Sequence, residues 1–307
     1  MDSNPDLVIL PEIEHALKNH LPVVALESAV ITHGLPKPHN LELALRIQKI
    51  VRLNHAIPAT IALLDGKIRL GLEGPELEKL AFSKEAHKIS SRDFTVGICQ
   101  DWVGGTTVAG TLKVAQIAGI QVFATGGIGG VHRGNPFDVS ADLHQLAQTP
   151  VIVVCSGAKA ILDLAASLEY LETMSIPVIG YQTDEFPAFY TRKSGFSLPN
   201  HVLSTDEIAD IANVHWNHMH EKSAILIANP PPEDIDGGSG KIEVEIQKAI
   251  REAEQSSIQG AALTPYLLQR LNELTSGSSL RTNLALLESN AELAAKIAVS
   301  FSEKHYS

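Results

Sequence analysis

The sequence predicts an α/β fold in three layers, α/β/α, with a mostly parallel central sheet and a helical C-terminal tail. Three observations predict it. Short Val- and Ile-rich runs closed by Gly, Pro or Ser recur from Val23 to Asn229, and runs of that length and composition are strands. Most are followed by a stretch whose apolar residues recur at helical spacing, and strand then helix, repeated, is the pattern of parallel strands joined by covering helices. No repeat, low-complexity block or Pro/Ser-rich linker divides the 307 residues, which therefore read as a single domain, 1–307.

Strands are predicted at Val23 to Glu27, Thr60 to Leu64, Lys67 to Leu70, Thr95 to Cys99, Gln121 to Thr125, Val151 to Cys155, Pro177 to Tyr181 and Ala224 to Asn229. The second and third form a hairpin around Asp65-Gly66, a pair that tolerates the positive φ of a tight turn. The spacing predicts helices over 41–54, 74–81, 106–118, 139–147, 158–173, 205–221 and 241–256. Thr264-Pro265 starts another, with Leu267, Leu268, Leu271 and Leu274 on one face, and a last helix runs over 280–301. Pro230 to Gly240, PPPEDIDGGSG, is the most loop-like segment and reads as a mobile lid.

With 44% hydrophobic and 19% charged residues the chain is neither disordered nor fibrous, and two Cys exclude a disulfide scaffold. A net charge of −11, from 24 Lys+Arg against 35 Asp+Glu, argues against nucleic-acid polymers and anionic membranes, which need clustered basic charge. An anionic ligand must then be held locally. No run approaches the roughly 18 apolar residues of a membrane span. Cys99 and Cys155 lie in apolar runs outside any C-x-x-C pattern and read as reduced core thiols. The first residues lack a basic segment followed by an apolar one, and the last three are His-Tyr-Ser, so neither a secretory nor a peroxisomal signal is expected. Cytoplasmic location is the expectation, with peroxisome or mitochondrion the alternative if a targeting segment precedes this sequence.

In an open α/β sheet ligands bind beyond the carboxyl ends of the strands. Five such ends stand out: Glu27-Ser28, Gly104 to Thr107, Thr125 to Gly134, Ser156 to Lys159, and Asn229-Pro230. Thr125 to Gly134 holds five Gly in ten residues, with His132 and Arg133 as donors; it can cradle a ligand or simply turn tightly, and it is no dinucleotide fingerprint. Gly104-Gly105-Thr106-Thr107 opens a helix and offers an anion site or a threonine cap. Lys159 falls in the first turn of the predicted 158–173 helix, where the dipole opposes a cation. It either reaches solvent or is kept as the neutral amine that Schiff-base chemistry needs.

Asp138, Ser140 and Asp142 bring oxygens that suit a hard divalent ion, or that merely complement a helix start. Lys88 and Arg92 could clamp a phosphate or form a solvated cluster. Glu27 ends an apolar strand, where partial desolvation raises a carboxyl toward a working proton donor; the alternative is a polar residue that has reached the surface. His215, His218 and His220 lack the i, i+4 spacing of a zinc site.

Together these segments resemble the pseudouridine-5′-phosphate glycosidase family, also called indigoidine synthase A-like proteins. The resemblance runs through ALESAVITHGLP at 25–36, KISSRD at 88–93, GGTTVAGT at 104–111, FATGGIGGVHRG at 123–134, FDVSADL at 137–143, VVCSGAK at 153–159 and GYQTDEFPAFY at 180–190, then ANPPPE at 228–233 and TPYLL at 264–268. Two departures are small: Ser156 and Ser91 stand where the family more often has Ala and a basic residue.

The resemblance implies reversible cleavage of the carbon–carbon glycosidic bond of pseudouridine 5′-phosphate to uracil and ribose 5-phosphate, in pseudouridine catabolism, with a divalent metal, usually Mn²⁺, and a homo-oligomer, often a trimer. By it, Lys159 forms the covalent adduct with the sugar and Glu27 is the proton donor. Asp138 becomes the metal ligand, and Lys88, Val108, Ser140, Ala141 and Asp142 contact substrate. Thr106, Thr107, His132 and Arg133, with Thr125 and Asn283, are candidates for phosphate and base recognition. Schiff-base chemistry alone does not fix the leaving group, so a sugar-phosphate lyase of aldolase type is the runner-up, and a non-catalytic sugar-phosphate or nucleotide sensor the third reading.

Overall fold

Side-chain alternation along the strands decides the architecture. A strand sends successive residues to opposite faces, and on Val23–Leu26 the residues Val23 and Ala25 enter one hydrophobic core while Val24 and Leu26 enter another. Phe123 and Val153 follow the first pair; Ala124, Ile152 and Val154 follow the second. A sheet buried on both faces needs helices on both, so the predicted three-layer α/β arrangement is the one observed.

This computed structural model describes residues 5–233, 239–256, 258 and 263–306. In chain order the elements are β1 (Leu7–Ile9), α1 (Pro11–Lys18), β2 (Val23–Leu26), a π-helical turn (Val30–Gly34), α2 (His39–Leu53), β3 (Ile57–Leu64), β4 (Lys67–Leu70), α3 (Gly74–Phe82), β5 (His87–Ile89), α4 (Phe94–Cys99), β6 (Gly104–Thr106) and α5 (Val108–Ala118). Then follow β7 (Val122–Ala124), β8 (Val131–His132), β9 (Asn135–Val139), α6 (Ala141–Leu146), β10 (Ile152–Cys155), β11 (Leu162–Asp163), α7 (Leu164–Thr173), β12 (Val178–Tyr181), β13 (His201–Val202) and α8 (Thr205–Asn213). A second π-helical turn (Val214–His218), β14 (Ile225–Ala228), α9 (Ser239–Gln255), α10 (Leu263–Leu274) and α11 (Ser278–Tyr306) complete the described chain.

The large sheet runs β1-β4-β3-β2-β7-β10-β14-β12-β13, with β6 pairing the second half of β3 and β5 pairing β6. From β3 through β2, β7, β10, β14 and β12 to β13 every pairing is parallel. The Asp65-Gly66 hairpin is present, since β3 and β4 pair antiparallel. Helices α1, α5, α6 and α7 cover one face through residues such as Ile13, Leu112, Leu143 and Leu171; α2, α8 and α11 cover the other through Leu43, Ile208 and Leu286. The C-terminal helix is thus part of a layer, not an appendage. A small antiparallel sheet, β11-β8-β9, stands beside the large one.

Four expectations are corrected. The run Thr95 to Cys99 is helical, α4: Phe94 and Gly97 are buried while Val96 and Cys99 face solvent, the three-residue spacing of a helix. Cys99 is therefore an exposed thiol and only Cys155 lies in the core. The helix expected over 158–173 starts at Leu164, capped by Asp163, whose side chain accepts from Ala166 N at 3.0 Å. Lys159 thus lies in a loop, outside the field of a helix start. Thr106 ends strand β6, and Thr107 is the cap of α5. Short strands β1, β5, β6 and β13 escape notice because two or three residues, several of them Gly or charged, carry no readable period. Of the proposed lid, residues 234–238 lie outside the described residues. Among those described, no helix is long and apolar enough to cross a membrane.

Candidate active site

Three charged side chains and an amide meet at the carboxyl ends of the central strands. Glu27 follows the last residue of β2, Lys88 is the middle residue of β5, Lys159 lies on the loop after β10, and Asn283 comes from α11. With His33, Gly126, Gly127, Phe189 and Leu287 they line one narrow cleft of about 60 Å³.

Burial dominates the electrostatics of Glu27. It raises the carboxyl above its ordinary value of 4.5, against the opposing pull of the Lys159 ammonium, a hydrogen bond from Thr125 Oγ1 and, more weakly, Lys88; Asp142 pushes the same way as burial. Lys88 is held below its ordinary range first by burial and then by repulsion from Lys159, with Asp142 and Glu27 opposing. A buried carboxyl whose hold on its proton is strengthened, set beside amines, suits a general acid paired with a nucleophile.

Lys159 is placed by backbone. Its N–H donates to Ile128 O at 3.1 Å, Ser156 N donates to Gly126 O at 2.9 Å, and Ile128 bridges Ala158, so the loop after β10 is stitched to the glycine-rich loop after β7. Arg133, a candidate for phosphate or base recognition, braces this loop: its guanidinium donates to Leu162 O (3.0 Å), Ala160 O (2.9 Å) and Glu243 Oε1 (2.7 Å). Gly157 must be glycine, with φ +84° and room for no Cβ, which would lie 2.1 Å from Pro187 O.

At the start of α5, which suits an anion or a threonine cap, the protein supplies partners of its own. Asp142 is buried, and its carboxylate accepts from Ala109 N in the first turn of α5 (2.9 Å) and from Gly129 N in the glycine loop (2.8 Å). This explains Gly129, whose Cβ would lie 2.1 Å from Ser140 Oγ and 2.7 Å from Asp142 Oδ2. Asp142→Asn removes a charged acceptor from one of those amides and should cost about 2 kcal/mol of stability, measurable by urea unfolding.

The remaining candidates divide. Val108 is buried at the first turn of α5, and Ser140 caps α6, accepting from Asp142 N at 3.2 Å, with Ala141 exposed next to it. Thr106 is fully buried and its hydroxyl donates to Ile61 O at 2.7 Å; Thr107 accepts from Gly110 N at 3.2 Å. Both hydroxyls thus serve the fold. Thr125 is buried and holds Glu27. His132 Nδ1 lies 3.2 Å from Asp138 Oδ2 on the β8–β9 hairpin. Asp138 is exposed, and among the described residues no three His, Cys, Asp or Glu converge. A single open carboxylate fits a hard divalent ion that keeps most of its waters, and would not form a closed cage.

Three contributors carry no signal of period or spacing. His33 comes back to the cleft only because the chain after Glu27 makes a π-helical turn, a feature frequent at functional sites; burial and then Lys88 hold its imidazole below the ordinary 6.5. Phe189 adds an apolar wall. Asn290, fully buried on α11, donates to Thr125 O at 2.8 Å and Ser156 Oγ at 3.2 Å and accepts from Asn229 at 2.9 Å, joining three strand ends behind the site.

The family model described as indigoidine synthase A like protein matches residues 12–300. The chain belongs to that family. Among its relatives, a protein named pseudouridine-5′-phosphate glycosidase from Caldanaerobacter subterraneus subsp. tengcongensis is 50% identical over 294 residues, covering 95% of each chain. One of the same name from Staphylococcus aureus is 49% identical, covering 94% of each. Two solved structures of the family's fold superpose closely: the prealnumycin C-glycosynthase AlnA in complex with ribulose 5-phosphate, 37% identical with a TM-score of 0.90 over 98% of this chain and 99% of that one, and an indigoidine synthase A-like protein of Thermotoga maritima, 35% identical with a TM-score of 0.89 over 96% of each.

Proposed function

We propose that the chain is a pseudouridine-5′-phosphate glycosidase, cleaving pseudouridine 5′-phosphate reversibly to uracil and ribose 5-phosphate. The observation that carries the reading is the convergence in one cleft of Glu27, its carboxyl raised by burial, and the Lys159 amine, in a chain about half identical to relatives of that name. A C-glycoside offers no leaving heteroatom to protonate, so the two-carboxylate route of ordinary glycosidases is unsuited.

An amine can do the work instead. Lys159 Nζ bonds to C1′ as the C1′–O4′ bond breaks and O4′ takes a proton. Glu27 protonates the uracil carbon, and the nitrogen lone pair then expels uracil as the C1′–C5 bond breaks, leaving an iminium. Water adds to the iminium, and its collapse frees Lys159 and ribose 5-phosphate. Lys88 balances negative charge on the substrate. Asp138 would hold the divalent ion, Mn²⁺ in this reading, whose chemistry when bound is to supply positive charge near the sugar phosphate. A homotrimer, cytoplasmic location and a place in pseudouridine catabolism belong to the same reading and rest on the family resemblance.

The test is incubation with pseudouridine 5′-phosphate and Mn²⁺, following free uracil. Uracil should accumulate, and borohydride with ribose 5-phosphate should leave a reduced adduct on the peptide containing Lys159. Absence of uracil sinks the reading, and release of a different fragment points to a sugar-phosphate lyase; an adduct on another lysine moves the nucleophile.

A further inference from the structure

The catalytic cleft does not end at its far wall. His33, Gly34 and Asn283 line it and also line a second cavity of about 510 Å³, which lies between the π-helical turn after β2 and the α10–α11 junction. The shared wall is fixed at one side: His33 Nδ1 lies 2.7 Å from Thr32 Oγ1, and its ring donates to the Ala86 carbonyl. On the other side stands Asn283, only 7% exposed, whose amide has no hydrogen-bond partner among the described residues. Deeper in, Asn272 Oδ1 is buried and equally unpartnered.

The chemistry of the two cavities differs. The cleft holds the cations Lys88 and Lys159, whereas Glu273 is the one carboxylate among the described residues of the second cavity, whose polar lining is otherwise the His33 imidazole and the amides and hydroxyls of Gln269, Asn272, Ser279 and Asn283. A phosphate stays with the cations. The part of a ligand that points past His33 and Asn283 is neutral, offers amide-like donors and acceptors, and is flanked by Leu35, Tyr190 and Leu280.

We propose that the second cavity is an outer aglycone subsite, through which the enzyme accepts neutral aglycones that extend beyond a single pyrimidine ring. The inference rests on the glycosidase reading, since it takes the sugar to be fixed at Lys159. In the synthetic direction the step balances without any redox partner. Lys159 and the aldehyde of ribose 5-phosphate form an iminium and release water, the aglycone carbon bonds to C1′, and its displaced proton goes to Glu27. The sugar hydroxyl then closes on C1′, gives up its proton and frees the amine.

The experiment measures condensation of ribose 5-phosphate, with Mn²⁺, onto uracil and onto uracils bearing a propyl or hydroxyethyl arm at N1, N3 or C6, all with C5 free, by mass spectrometry of the products. At least one extended series should be condensed with kcat/KM within about ten-fold of uracil. Gln269→Trp, at an exposed position that fills the cavity without disturbing the core, should lower the ratio of extended to plain product at least ten-fold. Plain uracil turning over while all three series are rejected by more than a hundred-fold overturns the subsite alone. A Gln269→Trp enzyme with an unchanged ratio does the same. No product from uracil itself overturns the glycosidase reading, and the subsite with it.

Discussion

Lys159→Ala is expected to reduce uracil release from pseudouridine 5′-phosphate by about 10⁴-fold or more, because it removes the only step that makes carbon a leaving group. The loss should be one of chemistry. Lys159 is held by its backbone, through Ile128 O, and its Nζ makes no hydrogen bond with a described residue, so truncation removes only its charge support of the buried Glu27 carboxyl and should lower the unfolding midpoint modestly while the fold is kept. Lys159→Arg separates nucleophile from charge: guanidinium keeps the positive charge beside Glu27 but is never neutral, and should be as inactive as the alanine variant. Steady-state uracil release, with thermal unfolding as the control for folding, decides the matter. Turnover by the arginine variant would mean that charge, not a covalent bond, carries the reaction.

What could be read from sequence follows a physical division. Strands such as Val151 to Cys155 and Ala224 to Asn229 were legible because burial on both faces demands an unbroken apolar run, and their observed bounds, Ile152–Cys155 and Ile225–Ala228, differ only at the ends. The Thr95 to Cys99 run misled because five apolar-rich residues fit a strand or one turn and a half of helix equally well, and only packing of Gly97 against Leu63 chooses. In the site, Glu27, Lys88 and Lys159 were legible as charges at the ends of apolar runs or in distinctive motifs. His33 and Asn290 were not: one depends on a π-helical turn, the other on α11 crossing behind strand ends more than a hundred residues away in sequence. Asp142 suits a metal, a helix start or, by resemblance, a substrate; its carboxylate accepts from the start of α5 and from the glycine loop, two partners that only the folded chain brings together.

Glu27→Gln should produce an enzyme that is slower yet no less stable, and the sign of that second effect tests the proton-donor role. Removing a general acid costs about 10² to 10⁴-fold in rate. The stability argument comes from linkage. The folded carboxyl is raised above its ordinary 4.5, so between that value and its raised one the native state binds more protons than the unfolded chain, and stability falls as pH rises through this window. Above the window the full cost of burying the carboxylate is present, and it exceeds what Lys159, Thr125 and Lys88 return. Glutamine keeps the acceptor for Thr125 Oγ1 and carries no charge, so the variant should match wild type near pH 4.5, exceed it at neutral pH, and show a flatter profile between. For activity the same shift predicts a wild-type rate that declines on the alkaline side as Glu27 loses its proton, a limb that Glu27→Gln should lack. Urea unfolding and uracil release from about pH 5 to about pH 8 measure both. A variant less stable than wild type at neutral pH would mean that the two lysines outweigh burial, that Glu27 is ionised in the resting enzyme, and that the proton for the uracil carbon comes from elsewhere.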